Sequence, residues 1–288
     1  MKVSLTIVIS DLDAFLDNEK CPWNVREVRC DYYEAMLKQC LKQLEINDVK
    51  IIRGNAHQIE PEYTLEMYKM ASKVTRDDAT LLEGTSLGTL LCPLYYAIDQ
   101  YWLKADLVVV GEDMRKFAQL AAQMIERQGE QPRAQLLITD VLPSMNGVGK
   151  MSASDAEFHL DPFDTPKQTK QKIARSFCEP CNVNGNIALQ LAKLFIFPLS
   201  ESGEALHIER SAENGGDLTV SNYAELEKLF VDGSLHPGDL KSAVAKSINA
   251  FFEPIRKEFA SKQAKMLSAA FPTVKGGAKN SSATQQKK

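Results

Sequence analysis

The stretch "ADLVVVGEDMRKFAQLAAQMIERQGEQPRAQLLITDV", residues 105–141, holds the pattern that decides the fold. Two runs rich in branched apolar residues, 105–113 and 133–141, flank a segment whose apolar residues recur at helical spacing. Strand, helix and strand in that order predict a parallel crossover unit, because parallel neighbours need a helix-length return between them. Two earlier runs, "VSLTIVIS" (3–10) and "VKIIRG" (49–54), also read as buried parallel strands, with the helical pattern "REVRCDYYEAMLKQCLKQL" between them. The first half therefore predicts a doubly wound, Rossmann-like α/β sheet.

Ligands of such sheets gather at the carboxyl ends of the strands, which here carry Asp11 after the first run and Gly111 with Asp113 after the third. An Asp just past a strand is equally suited to capping a helix. From about Thr165 the pattern becomes helical, in stretches 166–178, 186–199, 222–233 and 236–259. In the last of these Leu240, Val244, Ile248 and Phe252 form an apolar stripe, Asp239 stands where an N-cap belongs, and Pro254 predicts a kink near the end. The expected division is a sheet domain over 1–162, a helical domain over 163–273 and a polar, disordered tail over 274–288.

The chain has 288 residues and a net charge of -4, which argues against a protein that coats nucleic acid by charge alone but permits a local basic surface. Its six cysteines follow no disulfide framework, so reduced thiols in the cytoplasm are expected. The apolar start "MKVSLTIVIS" is short for a leader, lacks a cleavage-like ending and reads as a strand. No segment approaches the length of a membrane span, and neither a membrane nor DNA is an expected partner.

Between the two halves lies "GKMSASD", residues 149–155. Lys150 supplies a mobile cation, and Ser152, Ser154 and loop N–H groups supply donors, a set suited to polyphosphate. A solvated connector between domains would carry much the same string. "CEPC" at 178–181 has no second Cys or His pair to complete a zinc site, and the four histidines (His57, His159, His207, His236) show no metal spacing and no nucleophilic dyad. No protein-bound metal is expected.

Taken in order, "SDLDAFLDN", "YYEAML", "EYTLEMYKMASKVT", "AIDQYWLKADLVVVGEDMRK", "GKMSASD", "KIARSFCEPCNVNGN", "GGDLTVSNYAELEKLF" and "HPGDLKSAVAKSINAFFEPIRKEF" resemble the tyrosyl-tRNA synthetases of archaeal and eukaryotic cytosolic type. The loop at Lys150 resembles the KMSKS signature of class I synthetases. The resemblance implies ATP-dependent activation of tyrosine, with Mg, and transfer to tRNA-Tyr. Lys150, Ser152 and Ser154 would act on the triphosphate, Gly111 and Asp113 on the nucleotide, and Asp99 on the substrate phenol. His236 and Asp239 of "HPGD" fall at anticodon-reading positions.

The same comparison exposes departures. Nothing like the HIGH signature occurs, which implies a chain that starts inside the catalytic domain, without its first strand. In "CPLYYAID" the family's Tyr and Gln are Cys92 and Tyr96, and in "VGEDMRK" Val110 and Met114 replace a Gly and a Gln. Asp13 stands where His is usual, and Asn214 where an aromatic residue stacks on the anticodon. Losing several charge-assisted partners for the tyrosine ammonium, each worth about 1.5–3 kcal/mol, predicts a chain that is catalytically impaired by itself. It is similar to the second copy in double-length protozoan synthetases, where one copy carries catalysis and the other anticodon recognition. Two functions follow: a tyrosine–tRNA ligase, or a pseudo-synthetase that binds the anticodon and completes a dimer or pseudo-dimer with a second synthetase copy.

Overall fold

The computed structural model describes residues 3–18, 20–79, 86–153, 155, 157–200 and 206–272. Its first half runs β1 (Leu5–Ile9), α1 (Asp11–Leu16), α2 (Arg26–Gln43), β2 (Val49–Arg53), α3 (Asn55–Gln58), α4 (Pro61–Ala71), α5 (Arg76–Ala79), α6 (Leu87–Trp102), β3 (Leu107–Gly111), α7 (Arg115–Gln128) and β4 (Gln135–Thr139). The second half holds α8 (Pro166–Arg175), α9 (Ile187–Leu191), α10 (Phe197–Leu199), β5 (Leu206–Ile208), β6 (Leu218–Val220), α11 (Tyr223–Val231), α12 (Pro237–Phe259) and α13 (Gln263–Ala270).

The parallel crossovers form as the sequence predicts. β1 pairs with β2 from Leu5↔Val49 to Ile9↔Arg53, and β3 with β4 from Leu107↔Gln135 to Gly111↔Thr139. Among the described residues no ladder joins the two pairs, so the sheet exists as two parallel ribbons in which each strand, β1 and β3 included, has an open edge. This corrects the expectation of buried strands: Leu107, Val109 and Leu137 are 49%, 56% and 49% exposed. Two strands are too narrow to bury both faces, and the side chains at Val109 and its register partner Leu137 share an outward face.

Helices α4, α6 and α7 close one core around Tyr63, Met70, Ala97, Ile98 and Met124. α6 is capped by Ser86, whose Oγ accepts from Thr89 N at 3.2 Å. α7 buries Phe117, Leu120, Ala121, Met124 and Ile125 on one stripe and ends at Gly129, whose φ of 88° suits glycine.

The second core surrounds α12, where Leu240, Val244, Ile248 and Phe252 face Ile173, Leu189, Leu226 and Phe230. Tyr32 of α2, Met145 and Phe163 belong to the same cluster, so it reaches back into the first half. α8 opens with a capping box in which Thr165 and Gln168 satisfy each other's backbone N–H.

Two local expectations change. His236, not Asp239, is the N-cap of α12, its Nδ1 accepting from Gly238 N at 3.0 Å, while Asp239 lies inside the first turn. α12 runs through Pro254 to Phe259, the end read from the sequence. β5 and β6 form an antiparallel ribbon within the helical half. Residues 274–288, the expected tail, lie outside the described residues.

Candidate functional site

Three separate places gather the residues singled out above. The first is a cleft of about 680 Å³ at the carboxyl ends of β3 and β4, lined by Asp113, Asp140, Lys150, Ser152, Leu194 and Phe195. Gly111 ends β3, and a Cβ there would lie 2.6 Å from Asp113 Oδ1 and 2.8 Å from Val141 Cγ1, so only glycine leaves the Asp113 carboxylate in place. The preceding Val110 is buried.

The 149–155 loop is entered through a short hairpin over residues 142–151. Ser144 N donates to Gly149 O at 3.0 Å and Met151 N to Leu142 O at 2.7 Å, with Gly149 at a φ of 70°. This places Lys150 over the cleft, where its Nζ pairs with Asp113 Oδ2. Lys193 pairs with Asp140 at 2.8 Å on the same rim. Both carboxylates of the cleft thus face an ammonium. Ser152 lines the cleft, and Ser154 lies outside the described residues. Among the described residues no three His, Cys, Asp or Glu side chains come together as a metal site, and all six cysteines are free thiols.

The second place is Asp99 on α6. Oδ1 accepts from His57 Nε2 at 2.8 Å and from the Tyr63 hydroxyl at 2.8 Å, and Oδ2 accepts from Gln58 Nε2 at 3.0 Å. A carboxylate only accepts, so each of these neighbours must be the donor. Asp99 is therefore a node joining α3, α4 and α6, with three of its roughly four acceptor sites in use. His57 reads in sequence as an isolated histidine; only the fold brings it to Asp99.

Around this node the altered positions supply little polarity. Cys92 is buried, with its Sγ 3.8 Å from Asp13 O, and burial pushes its thiol up to about 12. Tyr96 packs its ring edge-on against Phe117 at 5.2 Å, and its hydroxyl is buried without a partner among the described residues. Met114 is the residue before α7. Asp13 Oδ1 is likewise buried without a partner among the described residues, and burial together with Asp99, Asp11 and Asp17 pushes its carboxyl up to about 8. Asp11 does not cap its own helix; Oδ2 meets Arg26 Nη1 at 2.5 Å and Oδ1 accepts from Asn55 N at 2.9 Å. Asp11 thus ties α1 to α2 and α3.

The third place is the start of α12. His236 is exposed, and the Asp239 carboxylate makes no hydrogen bond or ion pair among the described residues. Asn214 ends a short turn before Gly215. Arg210, which carries no sequence signal, ties this turn to the approach of α12: Nε donates to Gly216 O at 2.8 Å and Nη1 to Ser234 O at 3.0 Å.

A carboxylate at a strand end, a Lys and Ser loop hinged over it and a helical unit beyond form the framework of class I aminoacyl-tRNA synthetases. The family model described as tRNA synthetases class I (W and Y) matches residues 1–253. The cytoplasmic tyrosine–tRNA ligase of Danio rerio is 36% identical over 96% of this chain and 54% of its own length. The tyrosine–tRNA ligase of Haloarcula marismortui is 35% identical over 95% of this chain and 82% of its own. The structure of tyrosyl-tRNA synthetase from Archaeoglobus fulgidus, complexed with L-tyrosine, superposes with a TM-score of 0.78 at 31% identity, covering 88% of this chain and 79% of that one. The chain belongs to the tyrosyl-tRNA synthetase family. It spans about half the length of the vertebrate relatives it matches.

Proposed function

We propose that this chain is a tyrosine–tRNA ligase relative that binds tRNA-Tyr through its helical half and does not make tyrosyl-adenylate efficiently by itself. The observation that carries the reading is the Asp99 node. The carboxylate that would read the substrate phenol already accepts from His57, Gln58 and Tyr63. At the positions that the resemblance assigns to the substrate ammonium, Cys92, Tyr96 and Met114 offer no carbonyl or carboxylate side chain.

The nucleotide end keeps more of its chemistry. Gly111 and Asp113 would meet a ribose, and Lys150 with Ser152 a triphosphate, with Mg arriving alongside ATP. His236 and Asp239 stand at the exposed start of α12, where Asp239 can accept from the Watson–Crick edge of an unstacked guanine. The division of labour fits a module that contributes RNA binding to an assembly whose chemistry is done by a second synthetase copy. The open edges of β1 and β3 support the need for such a partner.

Tyrosine-dependent ATP–pyrophosphate exchange by the purified chain, measured beside tRNA-Tyr binding, tests the reading. Binding without exchange is expected. Turnover near that of an ordinary synthetase would restore the alternative, an active tyrosine–tRNA ligase.

A further inference from the structure

A recess of about 250 Å³ lies between α8 and the polypeptide on either side of the 149–155 loop, and it shares no lining residue with the Lys150 cleft. Gln168, Gln171 and Arg175, spaced on one face of α8, form one wall; Asn146, Glu157 and Phe158 form the other. The second wall is held in place. Asp155 Oδ1 accepts from Glu157 N at 3.1 Å and Phe158 N at 3.4 Å, and Phe158 O accepts from Met145 N at 3.0 Å.

Of the three charged side chains lining this recess, Glu157, Lys172 and Arg175, two of opposite sign face it without meeting. The Arg175 guanidinium and the Glu157 carboxylate make no hydrogen bond or ion pair among the described residues, although both line the same space. Their neighbours are already satisfied: Lys172 is paired with Asp164 at 2.8 Å, and Lys241 Nζ takes the last carbonyls of α8, Ala174 O at 3.0 Å and Ser176 O at 2.7 Å. Arg175 is therefore needed for neither a pair nor a cap.

The recess offers a donor-only fork, an acceptor-only carboxylate, side-chain amides and a half-buried aromatic ring. Its ligand must present acceptors and donors side by side on a flat body. Guanine does so, with O6 and N7 for an arginine and N1–H with the 2-amino group for a carboxylate. An amino-acid zwitterion would match the two charges but leave the ring and amides unused. We propose that this recess receives one unstacked guanine of a bound RNA, a second base site distinct from the start of α12. The proposal rests on the RNA-binding reading above.

Calorimetric titration of the full chain with GMP, IMP and AMP, in an Asp113→Ala/Asp239→Ala background that silences both the nucleotide cleft and the other guanine position, tests it. GMP should bind about tenfold tighter than AMP. Glu157→Gln should reduce GMP to the level of IMP, and Arg175→Gln should erase the preference over AMP. Both residues are exposed, so circular dichroism should show both variants folded. Equal binding of GMP and AMP, a preference that survives both variants, or glycine competing with GMP at equal strength overturns the proposal. A chain that binds tRNA without preferring GMP sinks the guanine recess alone. A chain that prefers GMP yet fails to bind tRNA sinks the tRNA reading alone.

Discussion

Lys150 Nζ is paired with Asp113 Oδ2, so the cation of the 149–155 loop and the carboxylate at the end of β3 neutralise each other over the cleft. The two groups that would hold opposite ends of ATP hold one another instead. A nucleotide must part them before either can serve it. The Lys150 side chain is 56% exposed, so the pair itself is worth at most about 1 kcal/mol.

Asp113→Asn should free Lys150 and tighten binding of inorganic tripolyphosphate, which has no ribose to miss the carboxylate, by roughly two- to fivefold. Lys150→Ala should abolish that gain. Calorimetry on the two variants and their combination reads it directly, and an unchanged affinity in Asp113→Asn would contradict the pairing.

The Asp99 node predicts a stability effect. Asp99→Ala leaves His57, Gln58 and the Tyr63 hydroxyl without their acceptor inside a packed core, a loss of about 3 kcal/mol in urea denaturation. Tyr63→Phe, which removes one donor and leaves the others, should cost about 1 kcal/mol.

Asp13 sets a pH dependence. Its carboxyl is pushed up to about 8 in the folded chain, against an ordinary value of 3.8. Between these values the folded state holds a proton that the unfolded chain has released, so stability falls as pH rises through that window and levels off above it. Asp13→Asn removes the penalty. Its advantage over the parent chain should be negligible near pH 4 and grow to roughly 2 kcal/mol or more by pH 8, measured by denaturation at a series of pH values. Parallel pH profiles would show that Asp13 is not the group responsible.

At the start of α12 the cap and the carboxylate proposed to meet RNA are separate residues. His236→Ala should destabilise the chain by about 1 kcal/mol through loss of the bond to Gly238 N. Asp239→Ala should leave the thermal midpoint unchanged and weaken tRNA-Tyr binding by roughly tenfold. Equal thermal losses in both variants would return the capping role to Asp239.

Val109 and Leu137 pair across β3 and β4 on an exposed face. Apolar surface of this kind beside an open strand edge favours association. Val109→Lys should therefore shift sedimentation toward the monomer, raising the dissociation constant of any self-association by about tenfold or more.

Local patterns were legible where the information is local. Apolar spacing along 115–128 marks α7 because 3.6-residue periodicity is written into consecutive residues, and Thr165 with Gln168 marks the start of α8 for the same reason. The cap of α12 was misplaced by three residues because His236 is an uncommon cap and Asp239 a common one; only the geometry of the turn separates them. The β5–β6 ribbon was missed because three-residue strands carry too little alternation to stand out from loops.

By itself the sequence determined the parallel crossovers, the helical second half and the ordered motifs that place the chain in its family, because each is read from neighbours along the chain. Tertiary structure alone decided that His57 reaches Asp99 across 42 positions and Lys150 reaches Asp113 across 37. It also decided that β1–β2 and β3–β4 stand as separate ribbons. Such contacts depend on how helices and strands pack, since a side chain's partner is whatever the fold brings within about 3 Å and no local spacing encodes it.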